Sequence, residues 1–175
     1  MTGKLLVILI AVCSLIAGVA MYYLQVYAFY EEVQPVPGQD VVLMPQDGGE
    51  PLAIAYGDFR AIDADSSPIR YRACFTTTED LSSLKSRFTL AGEQAPRVAP
   101  GWFDCFDAKS LGEALDAGTA TAFISRKNVD FGVDRIIAIT SDGRGYAWHE
   151  LNKCGEKAYD GTVVGEECPT RELGN

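Results

Sequence analysis

Histidine is nearly absent from this sequence, which has 175 residues and one histidine, His149. His-rich metal sites are therefore excluded, and general-base chemistry would depend on that one side chain. The sequence also contains no CxxC, GxSxG, GxGxxG or Walker motif. The usual signatures of zinc ribbons, thiol redox proteins, serine hydrolases and nucleotide-binding folds are thus missing. A chain of this length also leaves no room for a large multidomain enzyme.

Basic residues are scarce as well, with 15 lysines and arginines against 24 acidic residues. The first 30 residues contain one charge, Lys4, so the other 145 residues carry 14 basic and 24 acidic side chains, a charge of −10. A segment this acidic cannot neutralise a row of phosphates, and we expect no nucleic-acid partner.

The longest apolar run extends from Leu5 to Leu24 without a charge. As a helix it would span roughly 30 Å, the thickness of the hydrocarbon core of a bilayer. Lys4 precedes the run and Glu31 and Glu32 follow it, so the positive-inside bias places the N-terminus in the cytoplasm. We therefore predict an anchor over residues 1–30, a linker over 31–39 and a periplasmic domain over 40–175.

A cleaved signal peptide is the alternative for the N-terminus, with cleavage after Ala20. Cleavage there would leave the hydrophobic tail MYYLQVYAFY with no evident place to pack. The length of the apolar run favours an uncleaved anchor.

Four cysteines lie outside the apolar run, and an even number in an exported domain is typical of disulfides. Four cysteines allow three pairings, which sequence alone does not distinguish. We favour Cys74 with Cys105 and Cys154 with Cys168, because the second pair would hold down a C-terminal stretch that is poor in apolar residues.

The domain reads as a mixture of strands and two helices. Strands are predicted at residues 41–44, 52–62, 69–75 and 120–124, and a hairpin at 135–140 and 145–149 around Asp142–Gly143. One helix is predicted after a Thr78 cap, and a second from the capping-box spacing of Ser110 and Glu113, ending at Gly118. Two helices inserted between strands predict an α+β domain with a mostly antiparallel sheet.

Four strings carry a resemblance to a known family: AMYYLQVYAFYE, YRACFTTTEDL, APGWFDCFDA and FGVDRIIAITSDGRGYAWHELNKCG. With these strings the chain resembles a family of unknown function, composed of single-pass membrane proteins from Rhodobacter-like alphaproteobacteria. The resemblance covers nearly the whole chain. It implies a bacterial inner-membrane anchor with a periplasmic domain, and it carries over no catalytic residue.

Sites for chemistry are few. On an alternating strand Trp148 and His149 should face opposite ways, one to the core and one to solvent, and we expect His149 to be a surface or structurally satisfied residue. Asp63, Asp65 and Ser67 have the spacing of a calcium loop, but Pro68 and Cys74 occupy the positions that need glycine and glutamate in an EF-hand. We predict no metal, no cofactor and no catalytic residue.

Two segments are predicted to contact a partner. Ala11, Ser14, Gly18 and Gln25 recur every three to four residues, so they form a stripe of small and polar residues suited to another membrane helix. Trp102 with neighbouring Phe103 is the expected exposed anchor of the domain.

We therefore expect a non-enzymatic accessory or assembly subunit that contacts the bilayer and another integral membrane protein or envelope complex. The alternatives are a periplasmic domain that senses or binds a small molecule or ion and a hydrolase that uses His149.

Overall fold

The computed structural model describes residues 2–166 and 168–169, and its first element is the apolar N-terminal helix. This helix, α1 (Thr2–Tyr23), has 22 residues and continues into a π-helical turn, Leu24–Ala28. At 1.5 Å per residue α1 is roughly 33 Å long. The stretch Gly3–Ala28 is apolar and long enough to cross a membrane, and its most apolar window is not buried against the described chain.

Short helices and strands make up the rest of the described chain. The helices are α2 (Leu81–Arg87) and α3 (Ala108–Asp116). The strands are β1 (Glu31–Glu32), β2 (Val42–Leu43), β3 (Leu52–Ala53), β4 (Gly57–Asp63), β5 (Arg72–Thr76), β6 (Ala120–Asp130), β7 (Val133–Thr140) and β8 (Arg144–Leu151).

The main sheet has the strand order β1-β4-β5-β8-β7-β6, and every neighbouring pair in it is antiparallel. Strands β2 and β3 form a separate antiparallel pair. The predicted α+β class with a mostly antiparallel sheet is therefore confirmed.

Both faces of the sheet are covered. On one face Leu43, Leu84 and Phe88 pack on strand residues that include Phe75 and Ile137. On the other face α3 and the loop before it cover Tyr146 and Trp148 with Phe103, Phe106 and Leu111. The expectation that one of Trp148 and His149 faces solvent is therefore wrong. Both are buried, because each face of the sheet has its own covering layer.

The hairpin of β7 and β8 forms as predicted around Gly143, whose φ of 84° suits a residue without a side chain. A Cβ at Gly143 would also lie 2.5 Å from the carbonyl oxygen of Thr77. The strand predicted over residues 52–62 is interrupted between β3 and β4. The strand predicted over 120–124 extends to Asp130, across polar residues whose sequence does not suggest a strand.

Both helices form, but neither predicted cap is correct. Asp80 caps α2 by accepting a hydrogen bond from the backbone N–H of Ser83 at 2.8 Å. Asp107 caps α3 by accepting from the backbone N–H groups of Lys109 and Ser110, so Ser110 lies inside the helix. A carboxylate at the N-cap satisfies backbone donors that the helix itself leaves unpaired.

The first two residues of the predicted linker belong to the sheet. Glu31 and Glu32 pair with Asp63 and Ile62 at its edge, and the backbone N–H of Val33 donates to the carbonyl of Ala61 at 2.9 Å. Only two residues, Phe29 and Tyr30, thus separate the π-helical turn from the first strand.

The two favoured disulfides are confirmed. Cys74–Cys105 links β5 to the loop before α3, and Cys154–Cys168 closes a loop after β8.

Candidate functional site

A row of polar side chains crosses one face of the sheet. Arg126 on β6 lies directly opposite Arg135 on β7, and Arg135 lies opposite His149 on β8. Tyr71, the residue before β5, stacks on the imidazole of His149 with ring centroids 4.7 Å apart. Directly opposed residues in antiparallel strands share a face, so these four side chains form one group, which we call the polar row.

His149 is held in one tautomer. Its Nε2 accepts a hydrogen bond from Nε of Arg135 at 3.1 Å, and because arginine only donates, Nε2 carries no proton. The proton is therefore on Nδ1, which donates to the carbonyl oxygen of Pro68 at 2.7 Å. Burial first, and the charge of Arg135 second, lower the pKa of His149 from 6.5 to about 4. The histidine is thus neutral at neutral pH, with both ring nitrogens occupied.

Arg135 is fixed from a second direction by Tyr71. The guanidinium carbon lies 4.1 Å from the centroid of the Tyr71 ring, within cation–π distance. Tyr71 is buried, and burial raises the pKa of its phenol to about 12. The phenol therefore stays neutral, and the arginine keeps its charge without a carboxylate partner among the described residues.

A cavity of about 670 Å³ adjoins the end of the polar row. One wall comes from the sheet and includes Arg126, Lys127, Asn128 and Arg135. The opposite wall is part of the segment 36–51, which includes Gln39, Asp40 and Glu50. The cavity is thus polar on both walls and basic on the sheet side.

One of the two acidic residues that line the cavity, Asp40, is engaged in hydrogen bonds. Oδ2 of Asp40 accepts hydrogen bonds from the backbone N–H of Val36 at 2.5 Å and from the hydroxyl of Tyr56 at 2.8 Å. Desolvation, followed by the bond to Asp40, raises the pKa of Tyr56 to about 12. On the sheet side, Nζ of Lys127 lies 2.6 Å from a carboxylate oxygen of Glu166.

Of the polar row, only His149 was a candidate from the sequence, although one signal for Arg135 was also present. Residues 135, 137 and 139 share a face of the predicted hairpin, so Arg135 is a charged residue on the face of two isoleucines. A charge at such a position indicates either a buried polar partner or a cavity. Nothing comparable indicated Arg126 or Asp40, whose roles depend on the pairing of distant segments.

A buried arginine, Arg72, anchors the loop before α3. Its guanidinium donates to the backbone carbonyls of Arg97 and Val98 on that loop and of Ile69 and Tyr71 on its own segment. Burial lowers the pKa of Arg72 to about 10, so it remains a cation at neutral pH. This side chain is used in the scaffold and does not face the cavity lining.

Trp102 contacts the π-helical turn at the end of the N-terminal helix. Its indole Nε1 donates to the carbonyl oxygen of Val26 in the π-helical turn at 2.7 Å. Its ring stacks on Tyr27 and meets Tyr30 edge-on, with centroids 6.4 and 5.9 Å apart. Phe103 is buried in the core, so its predicted exposure is wrong. Trp102 therefore attaches the domain to the C-terminal end of the N-terminal helix.

The loop closed by Cys154–Cys168 forms a small exposed hairpin. Lys157 bridges to Val163, and the N–H of Ala158 donates to the carbonyl of Thr162 at 2.8 Å. Tyr159 at the tip is fully exposed, and Val163 and Val164 are also exposed. We call this segment, residues 154–166 with Cys168, the disulfide loop.

The remaining predicted contact residues lie on the exposed surface of the N-terminal helix. Ala11, Ser14 and Gly18 are exposed in the regular part of α1, and a Cβ at Gly18 would meet nothing within 4 Å. Gln25 falls in the π-helical turn, where the spacing of the stripe changes. Within the described ranges no three histidine, cysteine or acidic side chains come together as a metal site would require.

Comparison with known proteins gives one match. A model described as a family of unknown function, DUF6446, matches residues 41–169, which include the polar row, the sheet side of the cavity and both disulfides. No curated protein and no solved structure matches the chain. The sequence resemblance is thereby confirmed as far as a family of unknown function. The chain belongs to the DUF6446 family.

Proposed function

We propose that this chain is a membrane-anchored, non-enzymatic accessory or assembly subunit whose domain lies in the bacterial periplasm and binds a larger inner-membrane complex. The exposed apolar helix α1 supports anchoring, and two disulfides support an oxidising compartment. The position of Lys4 before the helix and of Glu31 and Glu32 after it supports a cytoplasmic N-terminus.

The observation that carries the partner-binding role is the exposed tip of the disulfide loop. Tyr159 projects into solvent from a hairpin that a disulfide and backbone hydrogen bonds hold in shape. A tyrosine carried by an already ordered backbone loses less conformational entropy when it is buried in a partner than one on an unstructured segment. Exposed Val163 and Val164 add apolar area beside it.

The helix supplies a second proposed contact. Small residues at Ala11, Ser14 and Gly18 allow close approach of another helix backbone, and the space beside Gly18 is open. Trp102 holds the domain against the π-helical turn, so a partner that contacts α1 would also meet the domain at a fixed height above the bilayer.

Affinity purification of the full-length protein from native membranes, followed by mass spectrometry, tests this role. We expect a reproducible membrane-protein partner whose recovery falls at least tenfold in the Tyr159→Ser variant, as for loss of an aromatic hot spot. Leu52→Ser, an equally polar change at an exposed apolar residue outside the loop, should leave recovery unchanged.

The helix contact is tested in the same purification. Ser14→Leu with Gly18→Leu should weaken recovery, whereas Ala20→Leu on the opposite face of α1 should not. Recovery of every partner at wild-type levels in both the loop and the helix variants would contradict the accessory role.

A domain that binds a small molecule or ion is the second candidate, and the cavity beside the polar row supports it. A ligand-dependent rise in Tm of the full-length protein in detergent tests this role. A hydrolase that uses His149 has less support, because Arg135 and Pro68 occupy both ring nitrogens. A hydrolytic activity of the wild-type protein that is lost in His149→Ala would be the evidence for this function.

A further inference from the structure

Two arginines face each other across β6 and β7, and neither forms an ion pair with a described carboxylate. Arg126 and Arg135 are directly opposed and half-buried, a placement in which like charges destabilise a sheet. Among the described residues no carboxylate lies within ion-pair distance of either one, and Arg126 donates no hydrogen bond.

Six other basic residues of the domain form ion pairs with carboxylates. Arg60, Arg87, Arg97, Arg144, Lys109 and Lys127 each lie within 4 Å of a carboxylate. The region after Tyr30 has 24 acidic residues against 14 basic ones, so carboxylate partners are plentiful in the sequence. The described fold leaves Arg126 and Arg135, on neighbouring strands beside the cavity, without such a partner.

The cavity offers further hydrogen-bond donors near the pair. Oδ1 of Asn128 accepts from Asn152 at 2.8 Å, which orients the amide and leaves its Nδ2 as a donor. Gln39 contributes a second amide from the opposite wall. The acidic lining residues, Asp40 and Glu50, belong to that opposite wall, and Asp40 already accepts two hydrogen bonds.

We propose that this cavity binds a small anion with a carboxylate or phosphate group, held by Arg126 and Arg135. The planar guanidinium presents paired donors that match the oxygen spacing of either group. The bound anion removes the repulsion between the two arginines, and the volume of about 670 Å³ admits a ligand of metabolite size. The proposal rests on the ligand-binding candidate function and names its ligand class.

Thermal unfolding of the full-length protein in detergent tests the site, with orthophosphate and citrate as probes and sodium chloride at matched ionic strength as the reference. Saturating probe should raise Tm by roughly 5 to 10 °C over chloride, as expected for a ligand at one hundred times its Kd. Comparison of the two probes distinguishes a phosphate site from a carboxylate site.

Arg126→Gln is the decisive variant, because the Arg126 side chain makes no hydrogen bond, ion pair or cation–π contact with the described residues. Without anion it should be at least as stable as wild type, since the like-charge contact is gone. It should also bind the effective probe at least tenfold more weakly. Arg144→Gln, the same change at an exposed hairpin arginine, should respond as wild type does.

Two results would overturn the site. One is a wild-type Tm that neither probe raises above chloride, and the other is an Arg126→Gln variant that keeps the full response. A Tm rise with neutral or cationic metabolites alone would refute the anion site while retaining the ligand-binding candidate. If no anionic, neutral or cationic compound raises the Tm, both the anion site and the ligand-binding candidate function are refuted.

Discussion

Arg135 connects three residues that are far apart in the sequence. Its Nε donates to His149, its guanidinium covers the ring of Tyr71, and its strand neighbour is Arg126. A protonated imidazole would place an N–H group against the guanidinium, so the arrangement requires a neutral histidine. The protonation state of one buried residue is thereby coupled to the geometry at the edge of the cavity.

This coupling predicts acid sensitivity. The folded pKa of His149 is about 4 and the unfolded value is 6.5. Between these values the unfolded chain binds a proton that the folded chain does not, so the free energy of unfolding falls as pH falls. From pH 7.5 to pH 4.5 we expect His149 to account for a loss of about 2.5 kcal/mol.

Urea unfolding of wild type and His149→Gln at the two pH values measures this contribution. Glutamine can accept a hydrogen bond from Arg135 but does not titrate. The variant should therefore lose about 2.5 kcal/mol less than wild type between pH 7.5 and pH 4.5. The other titrating groups are shared by both proteins and cancel in the difference. An equal loss of stability in both would show that His149 is not responsible.

Gly145 must be a glycine because of its cross-strand neighbour, Phe75. It pairs with Phe75 across β5 and β8, and a Cβ there would lie 2.1 Å from the Phe75 ring. Since Phe75 is buried and cannot move aside freely, Gly145→Ala should lower the free energy of unfolding by about 3 kcal/mol. Gly101→Ala meets nothing within 4 Å and should have little effect in the same denaturation assay.

At the scale of elements, the Cys74–Cys105 disulfide and Arg72 hold the same loop. The disulfide ties the loop before α3 to β5, and Arg72 binds two carbonyls of that loop. The loop carries Phe103 and Phe106, which cover one face of the sheet. Its attachment therefore determines whether that half of the core is closed.

Removal of this disulfide should be costly. The bond closes a loop with a sequence separation of 31 residues, for which chain entropy predicts about 3 to 4 kcal/mol. We expect Cys74→Ala with Cys105→Ala to lose that amount in urea unfolding. The Cys154→Ala, Cys168→Ala pair should lose less, because the disulfide loop contributes no residue to either hydrophobic cluster. A larger loss for the second pair would contradict this assignment.

Local sequence signals predicted some elements better than others. The hairpin around Gly143 and the two helices depend on nearby residues, and each of them forms. The caps were misplaced because Asp80 and Asp107 compete with other capping residues a few positions away, and sequence does not rank them. The second half of β6 was missed because its polar residues line the cavity, a setting that exists only once β7 and the segment 36–51 are in place.

At the scale of the whole molecule, the domain and the helix are joined by more than the chain. Trp102 bonds and stacks on the π-helical turn, and Arg70 lies over the ring of Tyr30 with its guanidinium carbon 5.5 Å from the centroid. Glu31 and Glu32 then enter the sheet at once. These contacts leave the junction little freedom to bend.

Loss of the indole should loosen the junction without unfolding the domain. In Trp102→Leu one hydrogen bond and two ring contacts are lost, together about 1.4 kcal/mol, which corresponds to a tenfold increase in local opening. Amide hydrogen exchange in lipid nanodiscs should therefore be about tenfold faster at residues 26–33. Tyr159→Leu, a change of another exposed aromatic residue, should leave exchange there unchanged, and equal exchange in wild type and Trp102→Leu would refute the junction.

Because the junction is stiff, a change in the tilt of the N-terminal helix would reorient the domain. As the proposed membrane anchor, a helix of 22 residues tilted by about 20°, a common value for membrane spans, would move its end sideways by roughly 11 Å. Since Trp102 clamps the domain to that end, the domain turns through the same angle. Bilayer thickness, which sets helix tilt, would then also set the direction in which the cavity and Tyr159 point.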